Sequence, residues 1–426
     1  MALNNKQKTR VDLLQPGVFI ELSGKWFSHP FVFNKFKVKN WHQIEILEKM
    51  GMKELYWVPE KSDCWPKDEQ EAKPLPEVVT VKKDEDPYVA LMWRVKREQM
   101  QHLKQIHENL TQCTRNYERV VKNVPQLMKK MMTGSKEGVS SAKETVGEMV
   151  ETFLGDSDAI VHLINIKEKD EGIYHHSLNV AVLSIMLANR CKMTPAEMHD
   201  LGVGALFHDI GKNQIEKKIL KKKPPLTRPE QAIMELHPQY GLDILSKSGI
   251  REGRTLRAVK EHHETWNGSG YPLGLKGEQI DKFARIIRIA DYYDNLCNNP
   301  ETSQRMTPYE ALSHMYTNLK NKIDIELFSI FIRSMGIYPP GTVVQLSNGE
   351  IGIVITINPN NALKPSLLIY DPTIPREEAL ICEMEEHEDI AIEKSIHSEE
   401  LPENVRRYLN ATTHVTYFME KGPVGK

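Results

Sequence analysis

No apolar run in this 426-residue sequence approaches the roughly 18 residues that a membrane-spanning helix needs. The first residues, MALNNKQKTRVDLLQPGVF, contain no apolar core of the kind a secretory signal carries, so no signal peptide is expected. Cysteine is scarce: Cys64, Cys113, Cys191, Cys297 and Cys382 are odd in number, far apart and never arranged as C-x-x-C. This excludes a C-x-x-C zinc or redox motif, argues against a disulfide framework and suits a reducing cytoplasm. Charge of one sign is also missing. A formal net charge of -2 supplies no basic field for DNA. The chain therefore reads as a soluble cytoplasmic protein of about two to four domains.

The fold class expected from the pattern is mainly α: an all-helical central domain, a small N-terminal α/β domain and a small C-terminal antiparallel β module. Residues 1–70 alternate short apolar runs with Gly and Pro (QPGVFIELSGKWFSHPFVF), then turn to IEILEKMGMKELYWVP, which reads as a helix and a strand. Residues 71–87, charged and proline-bearing, read as a linker. Residues 88–155 form a long helical connector in which Pro125 is expected to kink or break the helix. Its stripe of Met92, Val95, Met100, Leu103, Ile106 and Leu110 suits a partner helix, as in a homodimer, and suits the neighbouring domain equally well. Residues 156–335 are almost wholly helical. Three helix starts there repeat one signature, at Thr194, Thr227 and Thr307, each followed by a Pro and by Glu at the third position, which is a capping box. Residues 336–385 are rich in Val and Ile, with Ser-Asn-Gly between two strand-like runs, a hairpin signal. Residues 386–426 are expected to be an acidic surface helix and a tail.

The helical region embeds His176, His208, Asp209, His237, His262, His263 and Asp291 in apolar sequence. Any one of them alone reads as an ordinary core residue with a satisfied side chain. A carboxylate among isoleucines is costly unless paired or metal-bound, and one converging metal site would satisfy all seven together. Seven ligands exceed what one ion takes. Two divalent transition-metal ions bridged by a carboxylate fit the count, with Fe, Mn, Ni, Co and Zn all compatible with nitrogen and oxygen donors. Asp209, next to His208, suits the bridge. Lys212 lies one turn beyond His208, where a cation could neutralise a phosphoryl oxygen. Gly211 suggests a loosened helix end that frees Lys212 to reach outward.

The succession HSLNVA, LFHDIGK, HP, EHHETWNGSGYP and ARIIRIADYYDNL closely resembles the HD-GYP family, a branch of the HD-domain metal-dependent phosphohydrolases, over about residues 156–335. The flanking segments resemble the small domains often attached to that family. The resemblance implies hydrolysis of cyclic di-GMP, or of 3',3'-cyclic GMP-AMP, to the linear dinucleotide by an activated water between two metal ions. It implies His176, His208, Asp209, His237, His262, His263 and Asp291 as ligands, with Asp209 and Lys212 catalytic. Substrate contacts would come from Lys212, Asn267, Gly270, Tyr271, Pro272 and Arg305, and the Gly-Tyr-Pro loop could dock a diguanylate cyclase or another signalling protein. Glycines in that loop would let backbone approach the ligand closely.

Two departures from the family stand out. Gly172 stands where some members carry a glutamate for a third ion. Pro300 and Ser303 stand where basic substrate contacts are usual, with Arg305 displaced nearby. The altered segment favours, as an alternative, a non-catalytic cyclic dinucleotide sensor or docking partner of a diguanylate cyclase.

Overall fold

The structure is a computed structural model. It describes residues 6–22, 29–31, 34–68, 87–154, 160–164, 172–222, 225–299, 304–358, 361–372, 374, 376, 379–387, 390–409 and 416–420. Most of the expected linker, Pro300, Ser303 and the side chains of Val95, Met100, Leu103, Ile106 and Leu110 lie outside the described residues. Two compact units are present. The first comprises residues 1–108, 346–350 and 369–381, and the second comprises the remainder.

In the first unit, β1 (Gln7–Arg10), β2 (Phe19–Glu21), β3 (Lys35–Lys37), α1 (Trp41–Lys49) and β4 (Glu54–Trp57) follow one another. The strands form one sheet in the order β1-β4-β2-β3, and every pairing recorded is antiparallel. Asn40 starts α1 by accepting a hydrogen bond from the Gln43 amide, an N-cap that fixes the helix origin. Ile44, Ile46 and Leu47 then pack against Val18, Ile20, Leu55 and Trp57. The long helix α2 (Pro87–Met132) begins in this unit. Its Lys96 is buried and donates to the carbonyls of His29 (2.5 Å) and Phe31 (3.0 Å).

Pro125 sits inside α2, and the helix runs through it unbroken. Proline removes one backbone bond, while Val121, Val124, Leu127, Met128 and Met131 around it are buried; packing holds the helix where propensity alone would end it. After α3 (Lys136–Leu154) and β5 (Ile160–Ile164), the second unit is built on α4 (Gly172–Arg190), α5 (Pro195–Leu206), a short α6 (Lys217–Leu220), α7 (Arg228–Met234), α8 (His237–Ser248), α9 (Gly253–Glu261), α10 (Lys282–Cys297), α11 (Pro308–Asn318) and α12 (Ile325–Met335).

The three expected capping boxes set the starts of α5, α7 and α11. Thr194 and Glu197 exchange bonds of 3.3 and 3.0 Å, and Thr307 and Glu310 bonds of 3.3 and 2.9 Å. Glu230 accepts from the Thr227 amide at 2.8 Å. The core runs through α3, α4, α5, α9, α10 and α12, where Leu183, Ile185, Leu201, Val259, Ile286, Ile287, Phe328 and Phe331 are fully buried.

The hairpin signal at Ser347-Asn348-Gly349 joins β6 (Val343–Leu346) to β7 (Ile351–Thr356), antiparallel, with Gly349 at φ +85°. Beyond come β8 (Ser366–Ile369), β9 (Ile381–Glu383), β10 (Ile392–Ile396), α13 (Glu403–Leu409) and β11 (Thr416–Glu420). Of the acidic surface helix and tail expected after residue 386, a short helix, α13, is present, and the remainder is corrected here. β10 is an edge strand of the five-stranded sheet and β11 pairs with β5. Ile392 and Ile396 flank a polar centre, a short strand pattern that the surrounding acidic residues mask.

Candidate metal centre

The seven expected ligands arrive from five element ends or helix faces. α4 supplies His176, the turn after α5 supplies His208 and Asp209, the α7–α8 junction supplies His237, the end of α9 supplies His262 and His263, and α10 supplies Asp291. The structure brings all seven together.

Asp209 stands at the centre. Its Oδ2 faces His208 Nε2 (3.5 Å) and His176 Nε2 (3.8 Å), while its Oδ1 faces His237 Nε2 (3.3 Å) and His262 Nε2 (3.7 Å). Asp291 Oδ1 closes the first side at 3.3 Å from His176 Nε2. His263 joins the second side, its Nε2 3.1 Å from His237 Nε2. Two ligand groups that could each hold a metal ion result, His176–His208–Asp209 and Asp209–His237–His262–His263, and they share one carboxylate.

Three of the imidazoles are oriented by one device. His208, His237 and His262 each donate Nδ1–H, at 2.7 Å, to the carbonyl three residues earlier, on Ala205, Met234 and Val259. Those carbonyls belong to the last turns of α5, α7 and α9, where intrahelical partners run out. Each helix thus ends by giving a last-turn carbonyl to the histidine it delivers, which leaves Nε2 as a bare lone pair.

His176 is held differently. Asp294 Oδ2 lies 2.7 Å from its Nδ1, and Asp294 Oδ1 accepts from Asn179 (2.7 Å) and Asn298 (2.9 Å). Asp294 carries no sequence mark as a site member, although its spacing from Asp291 puts both on one face of α10. His263 is the exception: Arg288 Nη1 lies 3.2 Å from its Nδ1.

Several facts fit a metal. His237 and His262 point unprotonated nitrogens at each other across 3.3 Å, an arrangement that calls for a positive charge between them. Asp209 Oδ1 is buried without a hydrogen-bond partner. Burial pushes His176 down, but Asp291 and Asp294 outweigh it and raise the imidazole to about 10, so the two carboxylates demand a cation at this position. Burial keeps His262 neutral, at about 4, the form that ligates.

Lys212 does not reach outward. Its Nζ folds back to Asp209 Oδ2 at 2.5 Å, and the side chain remains 36% exposed. Gly211 serves packing: a Cβ there would lie 2.0 Å from the His237 carbonyl oxygen and 2.6 Å from the Gly241 amide nitrogen.

The Gly-Tyr-Pro loop also differs from the sequence expectation. A Cβ on Gly270 would meet the His263 carbonyl oxygen and the Thr265 nitrogen, both at 2.5 Å, so the close approach is to the loop's own backbone. Tyr271 stacks on the His263 ring, centroids 4.7 Å apart at 24°. The buried Glu264 accepts from the amides of Leu273 (2.6 Å) and Leu275 (3.0 Å) and clamps the loop's far end. Asn267 Oδ1 accepts from Thr265 Oγ1 and Ser269 Oγ, both at 2.8 Å, and so folds the loop internally. Pro272 is exposed. Arg305 is not part of the cluster described above; it donates Nε to the Asn299 carbonyl at 2.7 Å.

Fold and centre together define a helical HD-type domain able to bind metal ions. Residues 161–327 match the HD domain family, and residues 6–142 match a domain of unknown function. A cyclic di-GMP phosphodiesterase of Pseudomonas aeruginosa is 31% identical over 223 residues, 52% of this chain and 54% of that protein. The 3'3'-cGAMP-specific phosphodiesterase 3 of Vibrio cholerae is 34% identical over 165 residues, 38% of this chain and 35% of that protein. A cyclic di-GMP phosphodiesterase response regulator of Xanthomonas campestris is 31% identical over 170 residues, 39% of this chain and 45% of that protein. The chain carries a region matching the HD domain family behind that N-terminal domain, and it spans about half or less of the length of these relatives. No helix among the described residues is long and apolar enough to cross a membrane.

Proposed function

We propose that this chain is a cytoplasmic phosphodiesterase that hydrolyses cyclic di-GMP, or 3',3'-cyclic GMP-AMP, to the linear dinucleotide at a dinuclear metal centre. The observation that carries this reading is the division of Asp209, one carboxylate oxygen toward each histidine group. His176, His208 and Asp291 would hold one ion and His237, His262 and His263 the other, with Asp209 between them. Two divalent ions bound there would supply an activated water and charge neutralisation for in-line displacement at phosphorus.

The chain's own groups prepare the rest. Burial raises the Asp209 carboxyl, but the Lys212 charge and His208 outweigh it and keep it ionised, well below the usual carboxylate range. Lys212, tethered to Asp209 and partly open to solvent, places an ammonium where a non-bridging phosphoryl oxygen can take it. The clamped loop with Tyr271 walls the His263 side.

Metal analysis of the purified protein, combined with product chromatography on both cyclic dinucleotides, tests the reading. Stoichiometry near two ions per chain and a linear product are expected. A metal-loaded protein that linearises neither dinucleotide overturns it, and tight binding without turnover would turn it into a sensor.

A further inference from the structure

The neighbouring arginines on α9 and α10 pair with carboxylates. Arg285 meets Asp324 at 2.8 Å and lies over the Trp266 ring. Arg254 meets Glu197 at 2.8 Å, and Arg257 meets Glu261 at 2.7 Å. Arg288 is different. It lies one turn before Asp291 on α10, half-buried. Its guanidinium carbon lies 5.0 Å from the Tyr292 ring centroid, and Nη1 touches His263 Nδ1 at 3.2 Å. Its Nε is buried with no partner, and among the described residues no carboxylate pairs with it.

A half-buried cation without a counter-ion is costly to hold, and one ring stack and one imidazole contact do not balance it. The position is informative. Lys212 stands on the Oδ2 side of Asp209, with His176 and His208, whereas Arg288 stands behind His263, on the Oδ1 side. A cyclic dinucleotide carries two phosphodiester groups, and a cation at each end of the cluster suits such an anion. The guanidinium also offers a planar donor fork that an ammonium lacks.

We propose that Arg288 is a substrate-binding residue of this site, its guanidinium taking non-bridging phosphoryl oxygens of the cyclic dinucleotide at the His263 end while Lys212 takes them at the Asp209 end. This rests on the phosphodiesterase reading above.

The test uses the full chain loaded with Mn²⁺, as wild type, Arg288→Met and Arg288→Lys. Metal content, KM and kcat on the cyclic dinucleotide, and the calorimetric Kd of inorganic phosphate are measured. Arg288→Met is expected to raise KM about 10- to 100-fold, the loss expected for a charged hydrogen bond, and to weaken phosphate binding, with kcat and metal content held. Arg288→Lys recovers part of the loss. Unchanged KM and phosphate Kd overturn the proposal. So does metal loss in Arg288→Met, which would make Arg288 a positioning residue for His263. If the wild type linearises no cyclic dinucleotide, the activity reading falls by itself and the phosphate Kd decides Arg288: equal values in wild type and variant reject it. Should Arg288→Met fail to fold by circular dichroism, the same comparison is read from Arg288→Lys.

Discussion

Asp294 grips His176 from behind: its Oδ2 lies 2.7 Å from the imidazole Nδ1, while two asparagines hold its other oxygen. Asp294→Ala leaves His176 free to rotate and removes the carboxylate that raises its basicity. A loss of about 10- to 100-fold in metal affinity is expected, read by chelator competition, with the helical circular dichroism preserved.

Asp209 is the group both halves share. Asp209→Ala is expected to lose metal and to lower turnover by at least about 1,000-fold while the helical fold survives. Elemental analysis checks it; full metal content in this variant rules out the bridging role. His208→Ala, which removes a ligand from one half alone, should lose metal and activity too.

Glu264 closes the Gly-Tyr-Pro loop through two backbone amides. Glu264→Ala strips both amides of their acceptor, and a loss of about 1–3 kcal/mol is expected in denaturant unfolding. The loop should become cleavable by protease at low enzyme concentration. Turnover should fall up to about 100-fold as Tyr271 leaves its place on His263.

Glu350, in the first unit, gives a pH signature. Burial raises its carboxyl to about 7; a bond from Asn348 and the charges of Lys35 and Lys61 oppose this, and Asp371 adds to it. A folded pKa above the unfolded one means a stabilising contribution that is present below about pH 4.5 and lost as pH rises through 7. Glu350→Gln should therefore match wild type in unfolding free energy at pH 4.5 and exceed it at pH 8, by about 1–3 kcal/mol. An equal difference at both pH values would reject the assignment.

The ligand set was readable in the sequence because a His or Asp inside an apolar run has few physical explanations, and seven together have one. The capping boxes at Thr194, Thr227 and Thr307 were readable because they are local. What escaped is what depends on three-dimensional proximity. The role of Glu264 follows from amides nine and eleven residues downstream. Asp294 meets a histidine 118 residues earlier in the chain. The tight packing of Gly270 on the backbone of His263 and Thr265 is another contact that no local pattern announces. α2 continues past Pro125 without a break because propensity is a local quantity and the burial around it is not. β10 was hidden by acidic neighbours, and neither it nor β11 carries a local mark of which strand lies alongside.

The bond from each of three imidazoles to the carbonyl three residues before it makes the centre a gauge of set aperture. The nitrogens are aimed by the ends of α5, α7 and α9 before any ion arrives, and α5 and α9 are anchored in the core. An ion is thus selected by whether it suits spacings that the backbone has already chosen. Ions of similar radius should exchange in the same seat, and larger ones should meet a frame that does not stretch to admit them.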